Sequence, residues 1–237
     1  MKIRFWNDEK IAFEKYPIVE AKKLVPSWFK NLPQTVEYYN NHSTIKTCPG
    51  IIKYLTTGFI LRTWIDTVIE TTDTKINFIY PNGTPHSDYL SIMESMFFDE
   101  NQKKYDKYRK PHVLKWYTRW MCQPPSGYDI VYLPAQYHFN LNFTTIMGLL
   151  DTRLNEHLNV QVAWHPQETS TFIPAGTPIA QFIFLKRDTL EYEVCEASQI
   201  DRARTRLKEK RMQMKKHCSF FDEKYFDYTI DEQLSND

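Results

Sequence analysis

The chain has 237 residues, with 30 Lys+Arg against 29 Asp+Glu and a formal net charge of +1. At that balance no global field recruits nucleic acid or an acidic membrane, so any such binding comes from a local patch. A hydrophobic content of 42% with 15% aromatic residues excludes a disordered chain, and the length suits one large domain with appended arms.

Residues 1–47 read as an N-terminal arm. Charge falls inside what would be the apolar region of a secretion signal, so neither secretion nor membrane spanning is expected. Val19 to Leu32 predicts short helical pieces around Pro26-Ser27-Trp28-Phe29, with Pro26 in a first helical turn. Residues 48–196 read as a mainly β core, a β-clip or β-sandwich. Its strand signals are β-branched and aromatic runs at 59–69, 75–80, 128–133, 159–164, 179–185 and 191–194, several alternating polar with apolar residues. The six glycines, Gly50, Gly58, Gly83, Gly127, Gly148 and Gly176, all fall at the boundaries of these runs and predict turns. Residues 197–237 read as a basic helix and an acidic tail. Ser198-Gln199-Ile200-Asp201 resembles a capping box with Asp in place of Glu, opening a helix of about five turns. Ile200, Ala203, Leu207, Met214 and Cys218 form its apolar stripe, and the other face carries eight Lys and Arg residues between positions 202 and 216 against Glu209.

The four cysteines, Cys48, Cys122, Cys195 and Cys218, lie far apart with no Cys-x-x-Cys pair, and read as reduced thiols rather than a zinc site or disulfide framework. P-loop, Gly-x-Gly-x-x-Gly and Gly-x-Ser-x-Gly motifs are all missing, which argues against mononucleotide chemistry of the α/β kind and a serine hydrolase. His86-Ser87-Asp88 is a His-x-Asp that His138 or His165 would complete into a two-histidine, one-carboxylate Fe(II) site. Arg153 or Arg187 would then meet a 2-oxo acid. The bland reading of His86 to Asp88 is a turn after Asn82-Gly83. Trp116 to Trp120 and Tyr132 to Phe139 are aromatic enough to stack on bases, although such residues more often fill a core or interface. The basic segment 202–216 is a candidate nucleic-acid contact, weighed against a solvated arm packed on the core.

Two resemblances extend this reading. Gly148-Leu149-Leu150-Asp151, the strand-like run Leu158 to Trp164 and Gly176-Thr177-Pro178-Ile179-Ala180-Gln181 resemble the nucleotide-holding segment of dUTPases and dCTP deaminases. That resemblance implies a β-clip, Asp151 as the residue that orders and deprotonates the attacking water, Gln181 and the Ser126-Gly127 turn on the phosphates, and Mg²⁺ with the nucleotide. The chain departs from the pattern in three places. Pro125 stands where the motif has arginine, Leu154 stands where an aromatic stacks under the sugar, and no glycine follows Gly176 to build the C-terminal lid. Phosphate clamping and lid closure supply much of the positioning such hydrolysis requires. The wider set of blocks, Val25-Pro26-Ser27-Trp28-Phe29-Lys30-Asn31-Leu32-Pro33, Cys48-Pro49-Gly50, Pro125-Ser126-Gly127-Tyr128, Gly148 to Thr152 and Gly176 to Gln181, is similar to an uncharacterised family of tailed phages and prophages. It implies a viral origin and a place in the host cytoplasm or the virion. The expected function is a non-enzymatic structural or interaction protein without a cofactor. Its expected partners are its own copies, with a trimer as the expected assembly, and other virion proteins. A nucleotide-binding dUTPase-like enzyme or pseudoenzyme is the alternative, and an Fe(II) oxygenase the second.

Overall fold

Antiparallel strands form the framework of this computed structural model, which describes residues 2–36, 42–72, 75–81, 89–93, 112–165 and 167–217. The chain divides into two compact units, residues 1–188 and 189–237.

The first unit opens with β1 (Arg4–Asn7), α1 (Lys10–Lys15), β2 (Val19–Glu20), a 3-10 turn over Ala21–Leu24, α2 (Ser27–Asn31), β3 (Thr35–Val36), β4 (His42–Ser43) and α3 (Pro49–Thr56). Then come β5 (Phe59–Arg62), β6 (Thr67–Thr71), β7 (Ile76–Ile79), β8 (Leu90–Ile92), β9 (His112–Trp116), β10 (Trp120–Gln123) and β11 (Tyr128–Leu133). It closes with β12 (Phe143–Thr145), β13 (Gly148–Leu150), β14 (Val160–Trp164), β15 (Ser170–Ile173) and β16 (Pro178–Lys186). The largest sheet has the order β13-β11-β16-β5-β2, a second runs β12-β14-β9-β8 and a third β15-β6-β7, while β1 pairs with β10 and β3 with β4.

Side-chain alternation explains why these sheets close on one another. Along β14, Val160, Val162 and Trp164 are buried while Gln161 and Ala163 are only partly so, the period of a strand with one face inward. Central strand β16 is instead buried continuously from Ile179 to Phe182, as a strand covered on both faces has to be. One core gathers side chains from all three larger sheets, among them Leu61, Ile69, Leu114, Ile130, Trp164 and Phe182. A second, smaller cluster sets Ala12 of α1 against Trp64, Tyr80 and Tyr89.

The sequence runs translate into strands with three differences. The run 59–69 is broken into β5 and β6, because Thr63 leaves the sheet to hold the 174–177 turn. Its N–H donates to the Thr177 carbonyl at 2.9 Å and its carbonyl accepts from Gly176 N at 2.8 Å, while Asp66 accepts from Ala175 N at 2.7 Å. Gly50 is the second residue of α3 and Gly148 the first of β13, so both fall at element boundaries but neither is in a turn. Helix is thus not confined to the chain ends. The run 191–194 has no strand partner among the described residues.

The second unit contains α4 (Gln199–His217), preceded by exposed residues 189–198 in neither helix nor strand. Its start is a reciprocal capping box: Ser198 N and Oγ donate to Asp201 Oδ2 at 2.9 and 2.7 Å, and Asp201 N donates back to Ser198 Oγ at 3.1 Å. The Ser198 hydroxyl and N–H, with Arg204 and Arg202 behind them, hold the Asp201 carboxyl below its usual range. Replacing Ser198 with Ala removes the cap from α4. The expected cost is about 1 kcal/mol of helix stability, read as a loss of helical signal in far-UV circular dichroism. Within this unit, two residues of the α4 stripe are exposed, Ile200 at 60% and Leu207 at 39%.

Candidate functional site

Strand β11 organises the residues that the dUTPase-like pattern singles out. It lies between β13 and β16, with Ile130 opposite both Leu150 and Phe184, so the ends of both neighbours meet its N-terminal end. There the 126–127 turn enters the sheet. Gly127 has φ +85° with open space around its α-carbon, and its carbonyl accepts from Arg187 N at 2.8 Å. The Arg187 guanidinium turns to the buried Asp129 carboxylate, 3.3 Å from Oδ1, and to Asp151 Oδ1 at 3.5 Å. Gly127 and Asp151 therefore both contact Arg187, and Ser126 precedes Gly127 in the chain.

Asp151 is also engaged by its own turn. Its carbonyl accepts from Leu154 N and Asn155 N at 3.1 and 3.2 Å. Its carboxylate accepts from Arg153 N at 2.9 Å, and from Arg153 Nε and Nη2 at 2.9 and 2.5 Å in a fork. The Arg153 side chain, then its backbone N–H and finally the Arg187 charge hold the carboxyl down at about 2. A carboxylate with both oxygens taken by guanidinium is a weak proton acceptor near neutral pH, where a general base is most effective with a pKa close to the working pH.

Gln181 sits elsewhere. It pairs with Leu133 at the opposite end of β11, four residues from Asp129 or about 13 Å along the strand. The residue is buried, and its amide donates to the Tyr54 and Thr57 carbonyls at 2.6 and 2.7 Å, closing the C-terminal end of α3. Its donors hold the helix to the sheet.

Of the Fe(II) candidates, His86 and Asp88 lie outside the described residues. His138 ends a 3-10 turn beyond the Leu133 end of β11, and burial pushes its pKa below the ordinary imidazole value. His165 follows β14, with Nε2 3.4 Å from Thr144 Oγ1. Arg153 and Arg187 are at the other end of β11 from His138. Among the described residues no three His, Cys, Asp or Glu side chains converge. Cys48, Cys122 and Cys195 are free thiols, and burial, with Glu156 nearby, pushes Cys122 up to about 12.

The aromatic run 132–139 packs rather than stands free. Trp28 Nε1 donates to the Tyr137 carbonyl at 2.9 Å and its ring meets Phe139 at 5.0 Å, while Tyr54 meets Tyr137 edge-on at 5.7 Å. Trp116 and Trp120 are buried in the core. Sequence reasoning missed Asp129 as part of the charged corner and gave Arg187 no role there. Alternation about Ile130 and Tyr132 puts Asp129 on the opposite face of the strand, so its burial left no signal in the sequence. No protein-family model matches the chain, and no curated protein matches it. No helix among the described residues is long and apolar enough to cross a membrane.

Proposed function

We propose that the chain is a non-enzymatic structural or interaction protein of phage origin, built on a β core that assembles with its own copies into a trimer, in the host cytoplasm or the virion. One observation carries this reading. Leu190, Tyr192 and Val194 are 81%, 88% and 89% exposed, and they alternate with Glu191 and Glu193. Extended, that segment has one apolar and one acidic face, a strand in pattern that pairs with no strand among the described residues. Burying each such side chain contributes about 1.5–3 kcal/mol, and pairing on an open sheet edge of a second copy would bury all three together. Edge strand β13 offers such a place, with Met147 and Leu149 exposed beside it. Other virion proteins would bind the same assembled surfaces. The expected result of Tyr192→Glu, which puts a charge on the apolar face, is a fall in mass to the monomer by light scattering with the thermal midpoint of the core retained. A variant that keeps the wild-type mass would remove the segment from the account.

A second reading has its own observation. Arg187, whose N–H meets the Gly127 carbonyl, brings a guanidinium to the turn where Pro125 has replaced the motif arginine, and Arg153 shares the Asp151 carboxylate with it. On that reading the corner holds a nucleotide phosphate, with Mg²⁺, and displaces the Asp151 ion pairs. Thermal-shift titration with nucleoside mono-, di- and triphosphates plus Mg²⁺ separates the two. A ligand at about 100 times its dissociation constant stabilises the fold by about 2.7 kcal/mol. The structural reading expects no shift, and a shift that Asp151→Ala abolishes would replace it.

A further inference from the structure

Helix α4 concentrates charge that the rest of the chain does not share. Between Gln199 and His217 it carries eight Lys and Arg residues against Asp201 and Glu209, in a chain whose net charge is +1. Arg204 lies 3.7 Å from Asp201. Arg202, Arg206, Lys208 and Lys210 have no carboxylate within ion-pair distance among the described residues, and all four are exposed. At 3.6 residues per turn, Arg204, Lys208, Arg211 and Lys215 fall in one row down the helix, and the steps between them are 3 or 4 residues. The row is about 16 Å long at 1.5 Å per residue. A nucleic-acid strand presents one phosphate per ~3.4 Å of duplex axis, so the row spans about five phosphates.

The same row argues against the other occupants. Ile200, Ala203, Leu207 and Met214 form a stripe with period close to seven, which by itself suits a helix partner. Its flanks, however, are Arg204, Lys208 and Arg211 on one side and Arg206 and Lys210 on the other. A second α4 would bring cation against cation with only Asp201 and Glu209 to set against eight Lys and Arg residues, and like charges at such flanks oppose association. A membrane surface asks for a broad apolar face with aromatic anchors, and α4 contains no Trp, Tyr or Phe.

We propose that α4 is a nucleic-acid-binding arm that lies along a phosphodiester backbone through the row Arg204, Lys208, Arg211 and Lys215. Binding is sequence-independent and electrostatic, and it adds to the assembly role without depending on it. The test is fluorescence anisotropy of the intact chain with labelled single- and double-stranded DNA of arbitrary sequence, titrated at several salt concentrations. Four phosphate contacts predict a log–log salt slope of roughly −3.6 on duplex and −2.8 on single strands. On duplex that is a loss of roughly 100-fold in affinity between about 50 and 200 mM salt. The quadruple change Arg204→Gln, Lys208→Gln, Arg211→Gln and Lys215→Gln keeps helix propensity and is expected to abolish binding, with helical signal and mass unchanged. A charge-matched control, Lys2→Gln, Lys22→Gln, Lys23→Gln and Lys53→Gln, removes four exposed cations of the first unit and is expected to bind as wild type. Three results would overturn the proposal: no binding at low salt, equal loss in the control, or tighter binding to anionic vesicles or polyglutamate than to DNA.

Discussion

Gly58→Ala is expected to lower the thermal midpoint of the first unit by roughly 4–20 °C. Gly58 has φ +78°, and a β-carbon there would overlap the Phe182 carbonyl oxygen and lie 2.7 Å from Ile183 Cγ2. The left-handed backbone costs an L-residue roughly 1–2 kcal/mol. The overlap adds about 1–3 kcal/mol, because a backbone carbonyl in the central strand β16 cannot rotate aside. For a chain of this size each kcal/mol is worth roughly 2–4 °C. Gly127→Ala is the comparison: φ is +85° but nothing lies within 4 Å of the added carbon, so only the backbone cost applies. Equal midpoints for the two variants would show that the close approach of residue 58 to β16 is wrong.

Arg187→Met is the second large effect. Asp129 has its side chain 8% exposed, and Arg187 is the cation that reaches it, with Thr152 N as a weaker donor at 3.3 Å. Removing one member of a buried pair leaves an uncompensated charge, at a cost of about 3–5 kcal/mol. Asp129→Asn in the same chain removes that charge, so the double variant is expected to recover a large part of the loss. Chemical denaturation of the two single variants and the double one gives the coupling directly. Additive losses would mean the pair contributes nothing as a pair.

Where local pattern was strong, the sequence was a good guide. Tyr128 to Leu133 and 160–164 alternate or bury as read, and Ser198-x-x-Asp201 makes the cap its residue types suggest. The short strands β1 and β2 are set by distant partners, Arg4 to Asn7 by residues 120–123 and Val19 to Glu20 by residues 59–60, and two to four residues carry no period of their own. Gly50 reads as a turn because glycine is disfavoured within helices, and the helix that Pro49 opens there went unread. At the candidate site the resemblance set the Ser126-Gly127 turn and Asp151 on one ligand, and in the fold Gly127 and Asp151 both contact Arg187. The same resemblance could not show that Gln181 faces α3, since a glutamine in a strand reads alike whether its amide meets a ligand or a helix end. Nor could it show that the arginine of the corner comes from position 187, some sixty residues past the motif's own position.

Sedimentation velocity of the intact chain across micromolar concentrations tests the central claim most directly. The account predicts a species at about three times the 28.4 kDa chain mass, converted to the monomer by truncation after Asp188. A single 28.4 kDa species at every concentration would contradict it.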